Sequence, residues 1–149
     1  MRKKLRPLMQ PRADLSFAKP FVMRKRIIVV DDDASVREIF GIILERAGYD
    51  LQLISDANEI LKKNFRLPDL FILDKLLSGL DGLDICRFLK SQKEIKDIPV
   101  VMVSASPDIG ILSQKAGADD YLEKPFEIKH LLKVIERNTM ADRKKAFVE

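Results

Sequence analysis

Apolar and polar positions along this chain change period repeatedly from residue 26 onward. "RIIVV" is a short β-branched apolar run, the pattern of a strand buried on both faces. Val36, Ile39, Phe40, Ile43, Leu44 and Ala47 follow at spacings of 3, 1, 3, 1 and 3, one stripe of an amphipathic helix. Ser35 and Glu38 form a capping-box pattern at its start, and Gly48 suits its end. "YDLQLI" predicts a second strand, and Ser55 or Asp56 opens a second helix running to about Asn64. "RLP" breaks the chain before a third strand, "DLFILD". "KLLSGLDGLD" predicts a glycine-containing loop, followed by a helix over about 83–92 that buries Ile85, Phe88 and Leu89. "IPVVMVSA" predicts a fourth strand, 108–116 a shorter helix, and "DDYLEKP" a fifth, short strand. The last helix starts at Glu127, puts Ile128, Leu131, Leu132 and Ile135 on one face, and extends towards Arg143.

Five strands alternating with five helices predict an α/β fold, a five-stranded parallel sheet with helices on both faces. Right-handed crossovers leave few topologies, and the common strand order for five such units is 2-1-3-4-5. In that order the first and third strands are neighbours at the switch point, where ligands bind outside the carboxyl ends.

A chain of 149 residues with 46% hydrophobic content has room for one domain and its appendages. Residues 1–24 hold three prolines and no sustained period, and read as a basic flexible arm; 25–143 form the folded domain, and 144–149 a C-terminal tail. The net charge of +4 is unevenly placed. The first 26 residues hold nine Lys or Arg against one Asp, so the remainder is mildly acidic. The pI of about 9.2 therefore belongs to the arm and says little about nucleic-acid binding by the body. The arm opens like a signal n-region, but Pro7, Gln10, Arg12 and Asp14 break up any apolar h-region. Met23, just before "RKRIIVVDDD", is a candidate native start. A single cysteine, Cys86, excludes an internal disulfide and a thiolate metal cluster, and suits a reducing cytoplasm. No apolar run approaches the roughly 20 residues of a membrane span.

The chemistry gathers at the strand ends. The first strand runs into Asp31, Asp32 and Asp33, the third ends in Asp74, the fourth in Ser104, and the fifth is followed by Lys124 and Pro125. The topology sets all of them on one rim. Crowded carboxylates make sense around a hard dication, and Mg2+ takes few carboxylates plus waters and phosphate oxygens. Asp31 and Asp32 are the metal candidates; Asp33 stands near the next helix start, where a carboxylate suits capping. Asp74, alone at the end of the middle strand, is the natural acceptor of a phosphoryl group, with Lys124 and the Ser104 hydroxyl to hold its oxygens.

"IIVVDDDAS", "DLFILDKLLSGLDGLD", "PVVMVSAS" and "GADDYLEKPF" together resemble the receiver domain of two-component response regulators, over about residues 25–140. The resemblance implies a flavodoxin-like receiver fold. It makes Asp31 and Asp32 the acidic metal pair, with Asp74 the phosphoacceptor and the Leu76 main-chain carbonyl as further Mg2+ ligands. It makes Ser104 the switch hydroxyl, Tyr121 the aromatic switch and Lys124 the phosphate-binding lysine, and it implies a cis peptide before Pro125. Ser78 departs from the pattern, standing where a proline is frequent, and Lys75 adds a positive charge beside the acceptor. Leu76 is apolar where a side chain flanks the phosphoryl group, so slow loss of that group is expected.

The expected function is a stand-alone receiver, not an enzyme beyond catalysing its own phosphorylation and dephosphorylation. A sensor histidine kinase or phosphotransfer protein supplies the phosphoryl group, and a downstream protein target reads the changed surface. A phosphorylation-dependent dimer is a further mode of output. No DNA-binding domain is expected in this chain. The strongest rival is a haloacid-dehalogenase-type phosphatase with Asp31 as nucleophile and Asp33 as its second acid. There Ser104, Lys115 and Asp119–Asp120 would stand for the later motifs, which leaves Asp74 and Lys124 unexplained. A flavodoxin-like cofactor binder would want glycine and hydroxyls where this chain has three aspartates.

Overall fold

A computed structural model describes residues 24–140. The expected arm and C-terminal tail lie, but for Arg24, outside the described residues. The elements are β1 (Arg26–Val30), α1 (Ala34–Arg46), β2 (Asp50–Ile54), α2 (Asn58–Leu61), β3 (Leu70–Asp74), β4 (Leu76–Leu77), β5 (Leu80–Asp81), α3 (Gly82–Ser91), β6 (Val100–Ser104), α4 (Ile109–Ala116), β7 (Asp120–Glu123) and α5 (Ile128–Thr139). The main sheet is parallel throughout, in the order β2-β1-β3-β6-β7. This is the predicted order, with the fourth and fifth strands now β6 and β7 because a hairpin intervenes. The expected loop after Asp74 contains that hairpin, with β4 and β5 antiparallel and Leu77 opposite Leu80. Strands of two residues are too short to show a period of two.

Alternation along each strand separates two cores. Ile28, Val30, Phe71, Leu73 and Met102 face α2, α3 and α4 through Ile60, Ile85, Cys86, Leu89 and Ile109. Ile27, Val29, Leu70, Ile72, Val101 and Val103 face α1 and α5 through Phe40, Leu44, Leu131, Val134 and Ile135. A period-2 strand with apolar residues at every position requires such cover on both sides.

Several local expectations are corrected. α1 is capped by Asp33, whose Oδ1 accepts from the Ser35 and Val36 amides at 2.9 and 3.3 Å. Ser35 is inside the helix, so the Ser35–Glu38 box does not form. α2 spans only Asn58–Leu61, because Lys63 turns the chain with φ 57° and Phe65 swings in edge-on against Phe71 at 5.5 Å. Phe88 is only partly buried. Ile39 and Ile128 are exposed, outside the part of the α1 and α5 stripes that Phe40, Leu44, Leu131 and Ile135 bury in the core. α5 spans Ile128–Thr139 with Met140 extended, and the expected stretch towards Arg143 lies outside the described residues.

Candidate functional site

The carboxyl ends of β1, β3 and β6 and the β7–α5 connection meet on one rim, held in register by backbone bonds. The Lys75 amide donates to the Val103 carbonyl at 2.9 Å, and the Lys124 amide to the Ser104 carbonyl at 2.8 Å. Asp74 is the last residue of a fully buried strand and is itself buried. Its Oδ1 accepts from Lys124 Nζ at 3.0 Å and its Oδ2 from the Leu76 amide at 3.0 Å. A charge-assisted bond on one oxygen and a backbone donor on the other fix the carboxylate's orientation. The Lys124–Pro125 peptide is cis.

Asp31 is 3% exposed, and its Oδ1 accepts from the Asp33 amide at 2.9 Å. Burial pushes its carboxyl above the ordinary range, and the charges of Asp74 and Asp32 push the same way; the Asp33 amide and Lys124 oppose them. Asp32 is exposed, and its Oδ2 accepts a short hydrogen bond from the Ser78 hydroxyl. Ser104 is buried, and its Oγ accepts from the Ser106 amide at 3.0 Å, which leaves its O–H to donate elsewhere. Tyr121 is exposed on β7, with its ring against Gly110 of α4, where an added Cβ would come within 3.1 Å of Cζ. The Leu76 side chain is 73% exposed at the mouth of the site.

The structure thus brings together Asp31, Asp74 and Lys124, sets Asp32 and Ser104 on the same rim, and keeps Tyr121 on the surface. No three acidic, His or Cys side chains among the described residues form a ready-made metal cage. The donor set still fits Mg2+. It is all oxygen, it sets Asp31 near the carboxylates of Asp74 and Asp32 with Lys124 as the nearby cation, and Mg2+ completes its shell with water and substrate oxygens. The rival phosphatase residues are engaged differently. Lys124 pairs with Asp74 and not with Asp31. Asp119 bonds Lys90 at 2.7 Å, and Asp120 holds Arg137 and Asn138, both at 2.7 Å.

Two supporting residues escaped sequence reasoning. Arg37 donates to the Asp31 carbonyl at 2.7 Å, anchoring the turn that presents the aspartates. An arginine on a polar helix position carries no signal of this. Gly82 begins α3 against the acceptor's backbone, and an added Cβ would lie 2.1 Å from the Asp74 carbonyl oxygen. The second glycine of "SGLDG" was the available signal.

Comparison with known proteins gives one answer. A family model described as response regulator receiver domain matches residues 27–136. The chain is 42% identical over 113 residues to the DNA-binding response regulator MtrA of Mycolicibacterium paratuberculosis, an alignment covering 74% of this chain and 49% of that protein. The chain therefore spans about half the length of this relative. Among solved structures, the chemotaxis response regulator CheY4 of Vibrio cholerae superposes with a TM-score of 0.71 at 27% identity, covering 78% of this chain and 99% of that one. The receiver domain of a sensor histidine kinase from Pseudomonas aeruginosa, solved with magnesium coordinated in its active-site cleft, superposes with a TM-score of 0.71. At 23% identity, with 78% of this chain and 98% of that one covered, it shows a shared fold.

Proposed function

Because the chain belongs to the response regulator receiver family, we propose that it accepts a phosphoryl group on Asp74 from a histidine kinase or phosphotransfer protein in the cytoplasm. The observation that carries this reading is the 3.0 Å contact of Lys124 Nζ with Asp74 Oδ1, beside the buried Asp31. A carboxylate oxygen of Asp74 attacks the phosphorus of a phosphohistidine. The new P–O bond forms as the P–N bond breaks, and the electron pair leaves with the imidazole. Asp31, Asp32, Asp74 and the Leu76 main-chain carbonyl would hold Mg2+, which when bound neutralises charge on the phosphoryl oxygens. Lys124 passes from the carboxylate to the transferred group, and the Ser104 hydroxyl donates to it. Such transfer is mostly positioning and charge neutralisation, so a rigid rim of this kind suffices.

Phosphorylation adds negative charge to the end of β3. Ser104 is drawn towards it, Tyr121 turns inward from Gly110, and the surface of α4 and β7 changes. A downstream protein, or a second phosphorylated copy, reads that shift in population. The test is incorporation from acetyl phosphate, with and without Mg2+, into wild type, Asp74→Asn and Lys124→Ala. Wild type should be labelled only with Mg2+, Asp74→Asn not at all, and Lys124→Ala less than wild type. Undiminished labelling of Asp74→Asn would overturn the reading.

A further inference from the structure

Ser78 stands apart from the residues already given roles, yet its hydroxyl donates to Asp32 Oδ2, across 46 residues of sequence. It occupies the first of the two central positions of the β4–β5 hairpin, between the paired Leu77 and Leu80. Gly79 follows with φ 72°, while Lys63 is the one non-glycine residue with positive φ among those described. A negative φ followed by a positive one is the arrangement of a type II turn, whose first central position also suits proline. The turn therefore does not need serine for its backbone, and what serine adds is the hydroxyl.

The hydroxyl's partner matters because of what else the hairpin carries. The Leu76 amide at its base holds Asp74 Oδ2 at 3.0 Å, and the Gly82 amide at its end donates to the Lys75 carbonyl at 2.8 Å. The bond from Ser78 thus ties the exposed carboxylate after β1 to the segment that orients the acceptor after β3. An exposed aspartate otherwise samples several rotamers, and ordering it opposes cation binding. A donor on one oxygen holds the side chain and leaves the other oxygen for the cation, the usual arrangement of carboxylates that bind metals.

We propose that Ser78 is a positioning residue for the metal site, its hydroxyl holding Asp32 in place for Mg2+. The inference rests on the reading of Asp32 as a metal ligand. The test is calorimetric titration of the whole chain with Mg2+ alone, for wild type, Ser78→Ala, Ser78→Pro, Ser78→Thr and Asp32→Asn, beside a urea unfolding curve for each. Ser78→Ala and Ser78→Pro should each weaken Mg2+ binding roughly tenfold with little change in unfolding midpoint. Ser78→Thr, which keeps a hydroxyl, should stay close to wild type. The proline variant separates the two possible roles, since it keeps or stiffens the turn while removing the donor. Wild-type affinity in Ser78→Pro would overturn the inference and leave the receiver reading intact. Absence of Mg2+ binding by wild type would instead overturn the metal reading, and this inference with it.

Discussion

Asp31 sits 3% exposed with the charges of Asp74 and Asp32 near enough to disfavour its ionised form, after burial itself, which is the larger cause. Its folded-state pKa is raised, so its favourable contribution is present below the ordinary value of 3.8 and is lost as pH rises through the folded value. At neutral pH the ionised side chain therefore strains the metal-free fold. Asp31→Asn should stabilise the metal-free protein at pH 7 and should abolish Mg2+ binding, both visible in urea unfolding with and without the ion. The gain should shrink towards pH 4, and a destabilised variant at pH 7 would refute the account. Leu76 is the other residue whose chemistry is exposed to test. An apolar side chain, 73% exposed beside the acceptor, neither orients nor activates an attacking water. The phosphorylated state should persist for minutes once the donor is removed, and Leu76→Asn should shorten it; decay of the wild type within seconds would contradict this.

Each element that carries the site begins where a strand stops, and its cap decides where its first residue lies. "DDDAS" offered both Asp33 and Ser35 as caps, and either residue type serves. What selects Asp33 is the short crossover from Val30, which puts Asp33 in extended backbone at φ −87°, ψ 116°. Pattern alone does not carry that geometry. Strand and helix identity, the sheet order and the rim residues Asp31, Asp74, Ser104 and Lys124 were legible because burial on both faces writes continuous apolar runs that end in polar residues. The β4–β5 hairpin, the shortness of α2 and the role of Gly82 were not, because two-residue strands show no period, and the turn at Lys63 and the close approach of Gly82 to Asp74 are backbone geometry that no hydrophobic pattern records. Gly82 and Gly79 make this measurable. Gly82→Ala sets a methyl against the Asp74 carbonyl and should cost about 3 kcal/mol of stability while disturbing the acceptor. Gly79→Ala, at φ 72° with open space around it, should cost about 1 kcal/mol. Equal losses in chemical denaturation would show that the α3 approach is not tight.

At the scale of the molecule, two apolar layers clamp one sheet, and the functional rim depends on both. Cys86 reports on the layer formed with α2, α3 and α4. It is fully buried, and burial pushes its thiol up to about 12, so thiolate is negligible at pH 8 in the folded protein. Alkylation at pH 8 should be blocked in the native state and should appear over the same urea range as loss of helical signal, as one cooperative unit requires. Labelling well before that transition would show that the layer opens on its own. Two buried carboxylates carry ion pairs, Lys90 with Asp119 at 2.7 Å and Arg137 with Asp120 at 2.7 Å, which fasten β7 and the residue before it to their neighbours. They hold the edge strand whose Tyr121 is proposed to move. Whether Asp74 and not Asp31 accepts the phosphoryl group is read by mapping the phosphorylated residue. The protein is treated with acetyl phosphate and Mg2+, the acyl phosphate is reduced with borohydride, and the reduced residue is located by peptide mass spectrometry. A single reduced aspartate, Asp74, is expected; reduction at Asp31 would overturn the receiver reading in favour of phosphatase chemistry.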